Sequence, residues 1–237
     1  MNNLNEKLEI LMPAHNEGKS LEETIIKIYD VVKSKISFSF IICEDGSTDD
    51  TVEILNRLKL KYPIILLSHP TKKGYSNAVI DGIKHATADY LLVMDSDGQC
   101  DPKEIFKFWD NRKKADVING NRVPREDFLY RRYFSNFAYF IYKLFFNVKL
   151  HDPSVAFTLM SKKVYSALSN FKPQMPDGFF WEFNARALRK GFTSLEVNIV
   201  HKKRKYGNTK IFHFYRLPKI AFINLKGLIN VKFFSKD

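Results

Sequence analysis

Asp95, Ser96, Asp97, Gly98 and Gln99 directly follow an apolar run, Tyr90-Leu91-Leu92-Val93-Met94, that reads as a buried strand. Two carboxylates one residue apart at a strand end, with an amide two residues on, can converge oxygen ligands on one hard cation. Mg²⁺ and Mn²⁺ favour such ligands and commonly complete their shell with substrate phosphates. The competing reading is a solvated acidic turn. A second acidic cluster, Glu44-Asp45-Gly46-Ser47-Thr48-Asp49, follows another apolar run. Its carboxylates can accept hydrogen bonds from a base N–H or a ribose hydroxyl. Gly46 permits a tight turn, and Ser47 or Asp49 can cap the next helix. A capped turn accounts for Gly46, Ser47 and Asp49 but poorly for the Glu44-Asp45 pair.

Cations recur further along. Lys72-Lys73-Gly74 precedes a helix, and helix N-termini and lysines both attract phosphate. Arg122, Arg131 and Arg132 come next, then a cluster of Arg204, Lys205, Gly207 and Lys210. Arginine forks bind phosphate oxygens bidentately and lysine acts as a point charge. Beside a divalent cation, such groups suit a pyrophosphate leaving group. Any one of them, alone, reads as an ordinary surface charge. Asp152 and Glu182 are isolated acids in the second half, and Glu182 lies in the aromatic stretch Phe179-Phe180-Trp181-Glu182-Phe183. A Glu so placed is either paired or functional. Asp177 just before it reads as a helix cap. The six histidines show no metal-ligand spacing.

These groups need a scaffold, and the first half supplies one. Strands are expected at Leu8–Met12, Phe38–Cys43, Ile64–Leu67, Tyr90–Met94 and Val117-Ile118. Helices are expected at Glu17–Val32, Asp49–Leu60, Tyr75–His85 and Asp101–Arg112, the last opened by the Asp101-Pro102 pair. Strand–helix alternation at this spacing predicts βαβ units, an α/β fold and a mostly parallel sheet flanked by helices. Ligands of such sheets bind at the carboxyl ends of the strands, where "PAHNEG", "EDGSTDD" and "DSDGQ" fall.

The chain has 237 residues, 45% of them apolar, enough for one large α/β domain or two small ones. Two distant cysteines, Cys43 and Cys100, exclude a disulfide framework and suit a reducing cytosol. The N-terminus shows no apolar signal segment. The net charge of +12 is concentrated: ten Lys/Arg face one acidic residue from Val197 to Asp237, leaving +3 for the first 196 residues. Such a tail suits an anionic partner, whether a phosphate-bearing substrate, an acidic membrane surface or nucleic acid.

Phe128 to Phe146 carries ten Phe/Tyr among nineteen residues, interrupted by Arg131, Arg132 and Lys143. It reads as a helix that either packs inside the domain or lies in a membrane interface. Further helices are expected at Lys162–Leu168 and Phe179–Arg189, with a strand at Ser194–Val200. Thr209 to Phe234 is helix-like but broken at Pro218. No apolar run approaches the roughly 20 residues that span a bilayer.

Taken in order, these segments resemble an inverting glycosyltransferase of family 2 with the GT-A fold, and most of all the dolichol-phosphate mannosyltransferases and bacterial polyprenyl-phosphate glycosyltransferases. The matching elements are Pro13-Ala14-His15-Asn16-Glu17, Glu44 to Asp49, Lys73-Gly74 with Ala78 and Gly82, Asp95-Ser96-Asp97 with Gln99, Gly120-Asn121-Arg122, Arg131 with Ser135, Asp152, Glu182, and Arg204-x-x-Gly207-x-Thr209-Lys210. The resemblance implies that Pro13, Ala14, Glu17, Glu44, Asp45 and Lys73 serve the nucleotide pocket. It implies that Asp95, Asp97 and Gln99 hold Mg²⁺ or Mn²⁺ against the donor diphosphate. Arg122, Arg131, Ser135, Arg204 and Lys210 would bind donor and acceptor phosphates, and Asp97, Asp152, Glu182 and Arg204 would form the catalytic set. Three departures stand out: Glu44 where Asp is usual, His15 where Tyr or Phe is usual, and Ala156-Phe157-Thr158 where a Gly-Phe-Arg run is common.

The implied organisation is one GT-A domain over 1–210, with a nucleotide-sugar half at 1–121 and an acceptor half at 122–210, followed by a basic amphipathic tail at 211–237. The implied reaction is a single displacement at the anomeric carbon of a GDP- or UDP-sugar, on the cytoplasmic face of a membrane to which the protein binds peripherally. A polyprenyl phosphate acceptor is already anionic. A glycan hydroxyl would need a base, with Asp152, Asp177 and Glu182 as candidates. A non-catalytic basic binding protein, of nucleic acid for example, would leave Asp95, Asp97 and Gln99 without purpose, and no nucleic-acid partner is expected.

Overall fold

The computed structural model describes residues 6–123, 139–146, 150–202 and 217–235. Its strands are β1 (Lys7–Ala14), β2 (Ser37–Asp45), β3 (Ile64–His69), β4 (Tyr90–Met94), β5 (Val117–Arg122), β6 (Phe157–Ser161) and β7 (Ser194–Ile199). Its helices are α1 (Gly18–Val32), α2 (Thr51–Leu58), α3 (Tyr75–His85), α4 (Glu104–Asn111), α5 (residues 139–146), α6 (Lys162–Ala167), α7 (Phe179–Arg189) and α8 (Leu217–Phe233). The strands form one sheet in the order β3-β2-β1-β4-β6-β5-β7.

Alternation along the strands sends successive side chains to opposite faces. Leu8, Ile10 and Met12 of β1 join Phe40, Ile42, Leu92 and Met94 under α1, α2 and α4. Leu11, Ile41, Cys43, Leu91 and Val93 point the other way, under α3, α6 and α7. Both faces are covered, which is why β1, β2 and β4 read as continuous apolar runs. Each fully buried aliphatic side chain contributes about 2 kcal/mol.

The sheet departs from the expected pattern at one strand. Phe157–Ser161, placed in no element by the sequence reading, is β6. It inserts antiparallel between β4 and β5, whereas the other pairings are parallel. β4 and β5 therefore point the same way, and β1 to β5 and β7 all end on one edge. β6 begins on that edge, which brings the Asp152–Ala156 segment there. β5 also runs four residues past Val117-Ile118 and carries Arg122 at its tip.

A third apolar cluster lies beside the sheet. Tyr142 of α5, Met175, Ala185 of α7, and Leu228 and Val231 of α8 are buried together. The basic tail is thus docked over its described part. It is helical from Leu217 to Phe233; the residues before Leu217, on which the expected break at Pro218 depends, lie outside the described residues. At its end, Arg189 donates to the Val231 carbonyl and Arg186 to Ser235 Oγ (2.7 Å), placing cations where a helix C-terminus is negative. The opposite side of α8 is uncovered: Phe222, Leu225, Ile229 and Phe233 are exposed, Phe222 by 68%. Their spacing of three to four residues puts them on one stripe, flanked by exposed Lys219, Lys226 and Lys232. Phe140 and Leu144 of α5 are also exposed. Of the aromatic segment 128–146, only α5 lies within the described residues. No described helix is long and apolar enough to cross a membrane.

Candidate active site

The strand-end edge gathers the polar segments singled out in the sequence. On its nucleotide side, β1 ends in buried Pro13 and Ala14, level with Glu44 of β2. The chain then turns through Asn16, whose φ of 55° is left-handed, a conformation asparagine tolerates better than most residues. Asn16 is clamped to the β2–α2 loop. Its N–H donates to Ser47 Oγ (3.0 Å) and its Oδ1 accepts from the Thr48 N–H (2.8 Å). The Glu17 N–H donates to Thr51 Oγ1, and its carboxylate accepts from Ser20 at the start of α1. Beside these, the His15 Nδ1 atom is buried without a hydrogen-bond partner.

Glu44 and Asp45 are both buried and both hold loops. Glu44 Oε1 accepts from the Ser47 N–H (2.5 Å) and Oε2 from Ser68 Oγ (2.8 Å). Asp45 accepts from the Lys73 N–H (2.7 Å) through Oδ1 and from the Gly74 N–H (2.8 Å) through Oδ2. The Lys73 ammonium lies 3.3 Å from Asp81, which also receives His69 Nε2 at 3.2 Å. Gly46 has a φ of 65°, and a Cβ there would meet the Lys72 backbone nitrogen at 2.5 Å, so the two loops touch backbone to backbone.

The metal candidates lie next to this. Ser96 Oγ donates to the Pro13 carbonyl (3.1 Å), tying the loop after β4 to the end of β1. Asp97 is buried and accepts from the Gln99 N–H (3.0 Å). Asp95 Oδ1 accepts from the Tyr75 hydroxyl (3.1 Å). Gln99 donates its amide Nε2 to the Lys202 carbonyl (2.8 Å), which leaves Oε1 as its ligating atom. Among the described residues, no three His, Cys, Asp or Glu side chains cluster as a metal site. The donors here are two carboxylates and an amide, which is ample for a cation that keeps water or substrate oxygens. Burial, then Asp95 and Asp97, push the Cys100 thiol far up, against a smaller opposing pull from Arg122. That thiol therefore sits in the field of the acidic pair and of Arg122 together.

Arg122 meets Asp152 as a two-pronged fork, Nε to Oδ2 at 2.6 Å and Nη2 to Oδ1 at 3.0 Å, with Ser154 Oγ bonded to both residues. Glu196 accepts from the Asp152 and His151 N–H groups and fixes this corner. Glu182 stands differently from the expected catalytic group. It is fully buried, Oε2 accepts from the Gln174 and Met175 N–H groups (2.7 and 3.0 Å), and Oε1 accepts Arg186 Nε and Nη2 (3.0 and 2.8 Å). A carboxylate offers about four lone-pair positions, and here four donors occupy them. Glu182 is a strut under the 174–175 loop. Arg131, Ser135, Arg204 and Lys210 lie outside the described residues.

A family profile described as Glycosyl transferase family 2 matches residues 9–169, more than half of the chain. The chain belongs to glycosyl transferase family 2. Within that family, a dolichol-phosphate mannosyltransferase of Pyrococcus furiosus is 32% identical over 120 residues, 50% of this chain and 34% of that protein. A poly-β-1,6-N-acetyl-D-glucosamine synthase of Staphylococcus aureus is 29% identical over 119 residues, 49% of this chain and 28% of that protein. The matched stretch thus spans about a third of either relative's length. Among solved structures, the glucosyl-3-phosphoglycerate synthase of Mycobacterium tuberculosis with Mn²⁺, UDP and glucosyl-3-phosphoglycerate superposes with a TM-score of 0.73 at 14% identity, covering 96% of this chain and 80% of that one. Another crystal of that enzyme holds Mg²⁺ and UDP. The shared fold is GT-A. 

Sequence reasoning passed over Tyr75, Ser96, Asn16 and His69 as site residues. Tyr75 had one available signal, its place directly after Lys72-Lys73-Gly74. The others are ordinary loop residues until the strand ends are brought level.

Proposed function

We propose that this family 2 glycosyltransferase is an inverting, divalent-metal-dependent enzyme that transfers a sugar from a nucleotide-sugar donor to a polyprenyl phosphate. The observation that carries the reading is the Asp95–Asp97 pair at the tip of β4, on the edge it shares with Asp45 and Arg122. The oxygen-only donor set fits Mg²⁺ or Mn²⁺, held by Asp95, Asp97 and Gln99. When bound, such an ion neutralises charge on the departing nucleoside diphosphate. Pro13, Ala14, Glu17, Glu44, Asp45 and Lys73 shape the base and ribose side, Glu44 and Asp45 by fixing its loops. Arg122, braced by Asp152, presents a guanidinium to phosphate, and Arg131, Ser135, Arg204 and Lys210 complete the contacts to donor and acceptor phosphates.

The surroundings of two of the three candidate bases support a lipid phosphate acceptor. A hydroxyl acceptor needs a group that removes its proton. Asp152 is held by both prongs of the Arg122 guanidinium, the four positions on Glu182 are filled, and Asp177 is exposed beside the start of α7. A lipid phosphate oxygen is anionic and needs no base. The exposed stripe on α8, framed by lysines, supports peripheral binding to an anionic membrane surface, which we take to be the cytoplasmic face. A second reading, transfer to a glycan hydroxyl, draws on Ala156-Phe157-Thr158, where Thr158 replaces an expected arginine.

The test incubates the protein with Mn²⁺, labelled UDP- and GDP-sugars, and polyprenyl phosphate or an oligosaccharide. Label in the organic phase is the expected result. Label only in the oligosaccharide transfers the assignment to the second reading.

A further inference from the structure

Two carboxylates from different strands hold one short turn. Asp45, at the tip of β2, takes the N–H groups of Lys73 and Gly74. Asp95, just past the tip of β4, takes the hydroxyl of the next residue, Tyr75. Gly74 has a φ of 93°, which turns the chain sharply into α3. Asn77 Nδ2 closes the turn on the Lys73 carbonyl (2.8 Å). Ser76 donates to the Met175 and Pro176 carbonyls and fastens the start of α3 to the loop that Glu182 supports. The turn is therefore fixed on three sides, and the phenol reaches Asp95 from a rigid base.

We infer that Tyr75 is a positioning residue for the metal site: its hydroxyl fixes the rotation of the Asp95 carboxylate and ties the metal side of the cleft to the Asp45-held nucleotide side. The inference rests on the proposed metal site. The chemistry is that of a partner behind a ligand. The phenol holds one carboxylate oxygen and so fixes how the group is turned toward a cation. A phenol carries its proton at neutral pH and donates it here. It also gives one of two closely spaced negative charges a hydrogen bond while no cation is bound. Groups that orient metal ligands commonly alter metal affinity by 10- to 100-fold.

The test is Mn²⁺ titration of the intact protein, followed by the loss of the free-ion electron paramagnetic resonance signal. Tyr75→Phe keeps the ring and removes only the hydroxyl. It is expected to raise the Mn²⁺ dissociation constant about tenfold, with an unchanged melting temperature. Asn77→Ala disturbs the same turn without touching Asp95, and is expected to leave Mn²⁺ affinity unchanged. Equal affinity in wild type and Tyr75→Phe would overturn the inference while leaving the metal site standing. An equal loss in Asn77→Ala would also overturn it, because the effect would belong to the turn. No Mn²⁺ binding by the wild type would remove the metal site and this inference with it.

Discussion

At the scale of the residue, the acids of this chain divide by what already holds them. Asp95 and Asp97 lie at a strand tip with oxygen-donating neighbours, and Asp97→Ala should abolish metal-stimulated turnover with the fold intact. A circular dichroism melt and an assay with and without EDTA check this; a wild type fully active in EDTA would contradict the site. Glu182 is the counter-case. Glu182→Gln would leave the Arg186 charge buried with a weakened partner, and removing a partner from a buried pair costs about 3 kcal/mol or more. We expect a lower midpoint in denaturant unfolding and unchanged turnover per folded molecule. Lost turnover at wild-type stability would return Glu182 to the catalytic set. The two residues look alike in sequence, as isolated acids near apolar runs. The distinguishing sign was Arg186, four residues on and therefore on the same helix face. The thiols give a third test. Burial pushes Cys43 up to about 12 and Cys100 further still. Buried Cys43 should react with a thiol reagent at neutral pH only as fast as the protein unfolds, and its rapid labelling in the folded protein would contradict its placement.

At the scale of the element, the legible parts were those whose periodicity is set locally. β1, β2, β4 and α3 follow from apolar runs and their flanking turns, and the three polar loops after β1, β2 and β4 fall where parallel strands end. β6 was not legible. Five residues, Phe157-Thr158-Leu159-Met160-Ser161, carry no period that separates a strand from a helix start. Their role depends on β4 and β5, which leave a gap that only an antiparallel strand from 152–156 fills. The Arg122–Asp152 fork was hidden for the same reason, since its members are brought together by that insertion. α8 was readable as amphipathic and basic, but not as two-faced. One side packs on α7 through Leu228 and Val231, and the other presents Phe222, Leu225, Ile229 and Phe233. Replacing Phe222 and Phe233 with serine should weaken partitioning onto anionic vesicles by about a hundredfold or more, because each buried aromatic contributes about 2 kcal/mol and about 1.4 kcal/mol is tenfold. The melting temperature should stay within a degree or two, since neither side chain is in the core. Unchanged co-sedimentation would count against this face as the membrane contact.

At the scale of the whole molecule, the proposed function puts the nucleotide on the β1 to β3 side of β4 and the acceptor on the side of β5, β6 and the 150–202 segment. In the sequence, the excess positive charge lies beyond Val197. This charge asymmetry makes an ionic-strength prediction: vesicle binding should weaken as salt rises through the physiological range, where the screening length falls to about 8 Å. Binding that is indifferent to salt would leave only the apolar stripe to account for it. The choice between a lipid phosphate and a hydroxyl acceptor was least legible in the sequence, because the partners of Asp152 and Glu182 include a distant strand and the loop ahead of α7.

The most direct test of the divalent-ion site is anomalous diffraction at the manganese edge from crystals grown with Mn²⁺ and a nucleoside diphosphate. A single strong peak within coordinating distance of the Asp95 and Asp97 carboxylates, in contact with the diphosphate, is the predicted result. A diphosphate bound on the strand edge with no peak at that pair, or a peak at another group of ligands, would contradict the account.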